Sequence, residues 1–217
     1  MEREAQIRTL NAKLRRAMTE THHRVKNNLQ MISALIDMQT HSGRESVPIS
    51  DLARLGQNIQ ALGIIHDILT KEAKEDGEAE YISIKGVLER LLPILRTTLG
   101  ERGLRAEVQE VSLLGRQTTS LALIANELIS NAVKHGTGEV ELKLRAEGGV
   151  VTLEIGNDGP GFPIDFDPQT AANTGLELIE SIARYDLNGE TLYENREQGG
   201  ARVVIAFPIR HKPSSGE

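Results

Sequence analysis

Two rhythms of apolar residues divide the chain. As far as about residue 75 the apolar positions recur at intervals of three and four, as on one face of a helix. Ile7, Leu10, Leu14 and Ala17 or Met18 keep that interval through the charged stretch 2–19, and from Val25 it continues in Leu29, Ile32 and Ile36. "THSGRESVPIS" (40–50) interrupts it with Gly43 and Pro48, and Ser50 or Asp51 is placed to cap a second helix. That helix carries Leu52, Leu55, Ile59, Leu62, His66 and Leu69, a narrow seam of the coiled-coil kind. Two antiparallel helices bury little on their own, so the pattern predicts a hairpin that joins a second copy in a four-helix bundle.

"KEAKEDGEAE" (71–80) is a charged linker and the expected boundary. Past Tyr81 helical and alternating stretches take turns. A helix is expected at about 84–99, a strand near 104–111 and a long helix at about 116–135. "EVELKLRAEGGVVTLEIGNDG" alternates in Val140, Leu142 and Leu144, turns at Gly148-Gly149, and alternates again in Val151, Leu153 and Ile155, which reads as a hairpin. A loop rich in Pro, Gly and Asp (158–173) leads to a helix from Gly175, then to strands near 189–195 and 201–209. The expected fold class is therefore α+β. A helical hairpin over 1–75, with 1–19 as an N-terminal extension, precedes a two-layer α/β sandwich over 81–210 and a disordered tail at 211–217.

Composition narrows the function classes. The 217 residues are 39% hydrophobic but only 3% aromatic, with no Trp, so the core must be aliphatic. A net charge of −6 argues against a general nucleic-acid or anionic-membrane binder. The absence of cysteine excludes disulfides, thiolate metal sites and a cysteine nucleophile, and suits a reducing compartment. No apolar run approaches the roughly 18–20 residues of a membrane span, and the charged N-terminus has no signal-peptide core. A soluble cytoplasmic protein is expected.

Candidate chemistry begins at "THHRVKNNLQ" (21–30). At about 100° per residue, Leu29, Ile32 and Ile36 fall within about 40° of Val25 and define the stripe expected to be buried. His22 lies about 60° from that direction, whereas His23 lies about 160° away, facing solvent, with Asn27 one turn below it. His66 sits in the second helix's seam, as a core or dimer-interface histidine. His41, His135 and His211 form no metal-like cluster with carboxylates, so zinc has little support.

Three further segments carry polar groups at useful spacings. In "NELISNAVKHG" (126–136), Glu127, Asn131 and His135 follow each other by single turns, with Lys134 alongside. "GNDGPGFP" (156–163) ends a strand with Gly159 and Gly161, where backbone can approach a ligand, and with Pro160 and Pro163 stiffening the bend. "NTGLELI" (173–179) places Gly175 at a helix start, where backbone N–H groups favour phosphate. Neither a Walker loop nor a GxGxxG fits these spacings.

In this order the three segments resemble the N, G1 and G2 boxes of the GHKL (Bergerat) ATPase fold, the ATP-binding domain of histidine kinases, and "GGARVVIAFP" (199–208) resembles its closing strand. "HHRVKNNLQMISALIDMQ" and "IQALGIIHDIL" resemble the dimerisation and phosphoacceptor hairpin of HRxxN-type histidine kinases. The resemblance implies ATP and Mg²⁺ as cofactors, with His23 as phosphoacceptor and Glu127 and Asn27 as its catalytic partners. It implies that Asn131 helps hold Mg²⁺ on the triphosphate, and that Lys134 and His135 lie near phosphate oxygens. Asn157, Asp158, Gly159 and Gly161 would hold adenine, and Gly175-Leu176 would face the phosphates. Arg24 and Lys26 either orient the imidazole and stabilise phosphohistidine or form salt bridges. The implied partners are a second copy of the chain and the receiver domain of a response regulator.

Two positions depart from the family pattern. Asn157 stands where the family has the Asp of DxG, and "GLEL", with Glu177, replaces "GLGL". Two other readings share the same residues: a histidine phosphotransfer scaffold that no longer catalyses, and a serine kinase of the anti-sigma type. The second would not need the HRxxN hairpin.

Overall fold

The computed structural model describes residues 29, 32–33, 36–37, 48–75, 81–168 and 174–210. The chain divides into two compact units, Met1–Glu80 and Tyr81–Glu217. In the first, Leu29, Ile32, Ser33, Ile36 and Asp37 are helical, and helix α1 spans Ile49–Glu75. The helix begins earlier than a Ser50 or Asp51 cap requires. The Pro48 carbonyl accepts from Leu52 N–H, and Ser50 and Asp51 fall within the first turn.

The buried stripe of α1 also differs from the expected seam. Asn58, Ala61, Leu62 and Ile65 are buried, at intervals of three, four and seven, while Leu52 is 52% and Ile59 39% exposed. Leu29 and Ile36, expected in a buried stripe, are 60% and 43% exposed. Periodicity counts apolar positions but does not say which face the chain itself covers. The helix expected over 2–19, and His22, His23 and Asn27, lie outside the described residues, as do the side chains of His66 and Leu69.

The second unit has two layers. Ser83 ends β1 (Tyr81–Ser83) and caps α2 (Ile84–Leu99), its Oγ accepting from Gly86 N–H at 3.0 Å. From α2, Ile84, Val87, Leu88, Leu91, Leu95 and Leu99 are buried at helical spacing. β2 (Leu104–Val108) and β3 (Ser112–Leu114) lead into α3 (Gly115–His135), whose middle, from Leu121 to Ile129, is buried on every face. It is enclosed because it packs on α2, on α4 (Thr174–Ser181), and on β4 (Thr137–Glu147) and β5 (Val150–Asp158). A π-helical turn, Ile182–Asp186, extends α4, and β6 (Glu190–Asn195) and β7 (Ala201–Pro208) complete the sheet.

The sheet order is β2-β4-β5-β7-β6, with β2 and β4 parallel and the other neighbours antiparallel. Val140, Leu142 and Leu144, Val151, Leu153 and Ile155, and Val203, Ile205 and Phe207 turn to the helices and are buried. Each fully buried aliphatic side chain contributes about 1.5–3 kcal/mol. The alternate positions carry charge: Lys143 pairs with Glu141 and Glu154, and Arg202 with Glu154 and Glu194. One face is thus apolar and the other solvated, as an antiparallel sheet allows. Gly148 and Gly149, with φ of 58° and 80°, make the primed turn that joins β4 to β5.

The strand expected at 104–111 is shorter. β2 ends at Val108, and β3 pairs instead with β1 in a separate two-stranded sheet. The break falls where Gln109 N–H reaches the Leu144 carbonyl and the Val111 carbonyl accepts from Ile84 N–H. These partners are remote in sequence, so alternation alone carried the strand past Val108.

Arg102 secures the end of α3. Its Nη1 donates to the Ala132 and Val133 carbonyls at 3.0 and 2.9 Å, and its Nε to Gly138 O at 3.0 Å. A cation on the last carbonyls of a helix satisfies otherwise orphaned acceptors and complements the dipole. Replacing it, as in Arg102→Met, is expected to cost about 1–3 kcal/mol, seen as a lower urea midpoint with unchanged slope.

Candidate functional site

The residues of "NELISNAVKHG" descend the last two turns of α3 from interior to surface. Glu127 is 1% exposed, Asn131 is half-buried, and Lys134 and His135 are exposed in the final turn. Partial burial, and then the neighbouring Lys134 ammonium, hold the His135 imidazole below its ordinary 6.5. It is therefore neutral at pH 7 and offers one N–H donor.

The end of β5 meets this helix end directly. The inward alternation of Val151, Leu153 and Ile155 continues to Asn157, which is 8% exposed. Its Nδ2 donates to the Asp158 carbonyl at 2.6 Å and lies so close to Gly136 that a β-carbon there would overlap it. Asp158 points the other way. Its side chain is 61% exposed, 3.8 Å from Arg196 Nη1, and packs over Gly138. The two polar residues thus occupy opposite faces of the strand, and Asp158 does not take the inner place that Asn157 fills.

The glycines here have a reason in the fold itself. Gly159 (φ 128°) runs against Thr137 N, and Gly161 (φ 77°) leaves room for Asn195 Oδ1. Gly200 (φ 94°) lies against the Asn157 carbonyl, where a β-carbon would overlap it. At positive φ a side chain is strained in addition. Gly175 and Leu176 are buried in the first turn of α4, which packs on α3. The fold therefore brings together the three sequence-predicted segments of this unit. His23 and Asn27 are not among the described residues.

Several supporting residues had no signature in sequence. Asn195 clamps Phe162, accepting from its N–H at 2.6 Å and donating to its carbonyl at 3.0 Å. Tyr193 gathers Phe162 and Phe166. Arg196 lies over Gly156 and bonds Glu141 at 3.0 Å. Burial pushes the Glu141 carboxyl up, but Arg196, then Lys143 and Arg105, outweigh it and hold the net value below 4.5. Its stabilising effect is therefore present above pH 4.5 and is lost as pH falls through the lowered value. Only the i, i+2 spacing of Tyr193 and Asn195 on a strand would have hinted at their common face.

The donor set fits ATP with its own Mg²⁺ better than a resident metal. Among the described residues no group of three or more His, Cys, Asp and Glu could hold a metal ion. Mg²⁺ keeps several waters and takes one or two protein ligands beside substrate phosphates, a role open to the Asn131 amide oxygen.

The neutral state of His135 is measurable. Its imidazole, followed by NMR, should titrate below 6.5, and Lys134→Ala should move the midpoint upward. Because the folded value is depressed, the stability linked to His135 is complete above 6.5 and is lost as pH falls from there towards the folded value.

Comparison with known proteins places this geometry. Residues 20–99 match the family model described as histidine kinase, and residues 116–211 match that of the histidine kinase-, DNA gyrase B- and HSP90-like ATPases. Sensor histidine kinase PdtaS of Mycolicibacterium smegmatis is 26% identical over 200 residues, which cover 88% of this chain and 39% of that protein. Blue-light-activated histidine kinase 2 of Erythrobacter litoralis is 24% identical over 204 residues, covering 90% of this chain and 57% of that protein. The chain thus spans less than two thirds of the length of these relatives. The blue-light activated histidine kinase structure from Erythrobacter litoralis EL346 superposes with a TM-score of 0.66 at 22% identity, covering 89% of this chain and 63% of that one. A histidine kinase domain from the same protein gives 0.63 at 17% identity, covering 85% and 94%. No helix among the described residues is long and apolar enough to cross a membrane. With both family models matched in order and the fold shared, the chain carries the transmitter core of a sensor histidine kinase.

Proposed function

We propose that this chain is an ATP-dependent protein-histidine kinase of the HRxxN type, which phosphorylates its own His23 and passes the phosphoryl group to an aspartate of a response-regulator receiver domain. Residues 1–75 form the dimerising phosphoacceptor hairpin and 81–210 the ATP-binding domain of a cytoplasmic homodimer. The observation that carries the reading is the meeting of Asn157 with the end of α3, which sets an amide beside the helix that bears Asn131, Lys134 and His135. The exposure of Leu29, Ile36, Leu52 and Ile59 supports a second copy as the cover for the hairpin.

In this mechanism His23 attacks the γ-phosphoryl in line through a neutral ring nitrogen. An N–P bond forms as the P–O bond to ADP breaks, and the ring proton is lost. Mg²⁺ supplies charge neutralisation across the phosphates. Asn131 offers its amide oxygen to that ion, while Lys134 and His135 donate to phosphate oxygens. Glu127 acts as polar partner or base near the transfer, and Asn27 orients the His23 imidazole. Asn157 receives adenine with its uncharged amide, the nitrogen held by the Asp158 carbonyl. Gly159, Gly161, Gly175 and Leu176 shape the walls, so catalysis is chiefly positioning.

Asn157 is also the observation that favours a second reading, a phosphotransfer scaffold without kinase activity. The two separate on incubation with Mg-ATP labelled at the γ-phosphate. Acid-labile, base-stable label that disappears in His23→Gln and survives in His22→Gln supports the kinase, and Asn131→Ala should slow its appearance by about 10²–10³-fold. A chain that binds no ATP yet accepts phosphate from a phosphorylated receiver is the scaffold, and acid-stable label indicates a serine or threonine kinase.

A further inference from the structure

Two of the chain's three phenylalanines and one of its three tyrosines meet at one place, although aromatics make up only 3% of the sequence. Phe162 and Phe166 stack with centroids 4.3 Å apart, and Tyr193 meets them edge-on and tilted at 5.8 and 5.6 Å. Such pairs add about 0.5–1.5 kcal/mol beyond the area they bury. Tyr193 also reaches the other side of the site. Its hydroxyl donates to Glu180 Oε1 on α4 at 2.9 Å. Burial, and then the Glu180 carboxylate, push the phenol far above its ordinary value, so it remains a donor across the physiological range.

Two residues further along β6, Asn195 holds the Phe162 backbone by both its N–H and its carbonyl. Gly161 lacks a side chain where Asn195 enters. A strand places residues i and i+2 on one face, so Tyr193 and Asn195 act as a pair. They fasten the loop that follows Gly159 and Gly161 to the rigid sheet, and Tyr193 fastens the C-terminal end of α4, the helix whose first turn holds Gly175 and Leu176, to the same point.

We propose that Tyr193 and Asn195 are positioning residues for the nucleotide: from β6 they set the spacing between the glycine loop after β5 and α4, which Tyr193 holds near its C-terminal end at Glu180. This rests on the reading of the site as an ATP site. Neither side chain needs to touch ATP. Their effect falls on binding, because both walls they hold are expected to grip the nucleotide rather than the phosphoacceptor.

Autophosphorylation of the full chain, measured against ATP concentration, tests this. Tyr193→Phe keeps the ring stack and removes only the bond to Glu180, and Asn195→Ala removes the clamp. Each should raise KM for ATP by about ten- to a hundredfold, the scale of one lost buried hydrogen bond, with kcat within about twofold and only a small fall in melting temperature. Glu180→Gln, whose amide oxygen still accepts the hydroxyl, should stay near wild-type KM, and Arg145→Ala on the outer face of the sheet serves as the unaffected control. Amide hydrogen exchange across 159–168 should quicken in Tyr193→Phe. Folded Tyr193→Phe with unchanged KM and unchanged exchange overturns the proposal, as does a fall in kcat at constant KM; if Asn195→Ala does not fold, Tyr193→Phe decides alone. A wild-type chain that binds no Mg-ATP overturns the nucleotide reading itself, an outcome distinct from variants that bind as well as wild type.

Discussion

At the end of β5 three backbone segments approach more closely than any side chain larger than hydrogen permits. Gly136, where α3 stops, receives the Asn157 amide, and Gly200, in the β6–β7 turn, lies against the Asn157 carbonyl. Gly138 makes the same allowance for Asp158 on the opposite face. Helix, central strand and closing hairpin are thereby locked together around one dipeptide. Every candidate ligand-facing group of the second unit is referred to that junction. α3 delivers Asn131, Lys134 and His135 to it, and β5 delivers the glycine loop.

The junction holds because its surroundings are stiff. α3 is enclosed by the sheet and two helices, and Arg102 anchors its last carbonyls to the start of β4. On the other face of the sheet, Arg196 ties Glu141 on β4 to Asp158 on β5 across the space left open by Gly156. Exposed ion pairs contribute little each. Arg196 and Glu141 are only 27% and 18% exposed, however, and they belong to a ladder with Lys143 and Arg105. A site that works by positioning benefits from such support, because small displacements of its walls are felt in binding.

Most of the second unit was legible along the chain. α2, α3, the β4–β5 hairpin and the two closing strands each announce themselves by period and by turn residues, and each stands within a residue or a few of its expected limits. Local signals suffice there because an alternating strand or an amphipathic helix has one good way to bury its apolar face. They failed at Gln109–Val111, where the expected strand has already ended and the chain crosses to a second sheet. On α1 one chain buries Asn58, Ala61, Leu62 and Ile65 and leaves Leu52 and Ile59 exposed, a division that periodicity does not make. The site divides along the same line. Asn131, Lys134, His135 and the glycines could be picked out, whereas Arg102, Tyr193, Glu180, Asn195 and Arg196 look like any surface residues until the chain is folded.

What the sequence determined by itself, then, is the identity and order of the elements and the residue types able to meet a phosphate, an amine or a metal-bound nucleotide. These follow from short-range periodicity and from the chemistry of single side chains. Only the tertiary structure decided what Asn157 meets on the inner face to which its strand's alternation turns it, and which distant side chains hold the walls in place. The reason is that facing and support depend on strand register and on contacts between residues dozens of positions apart, such as Tyr193 with Phe162 and Arg102 with Ala132. No local pattern encodes those separations.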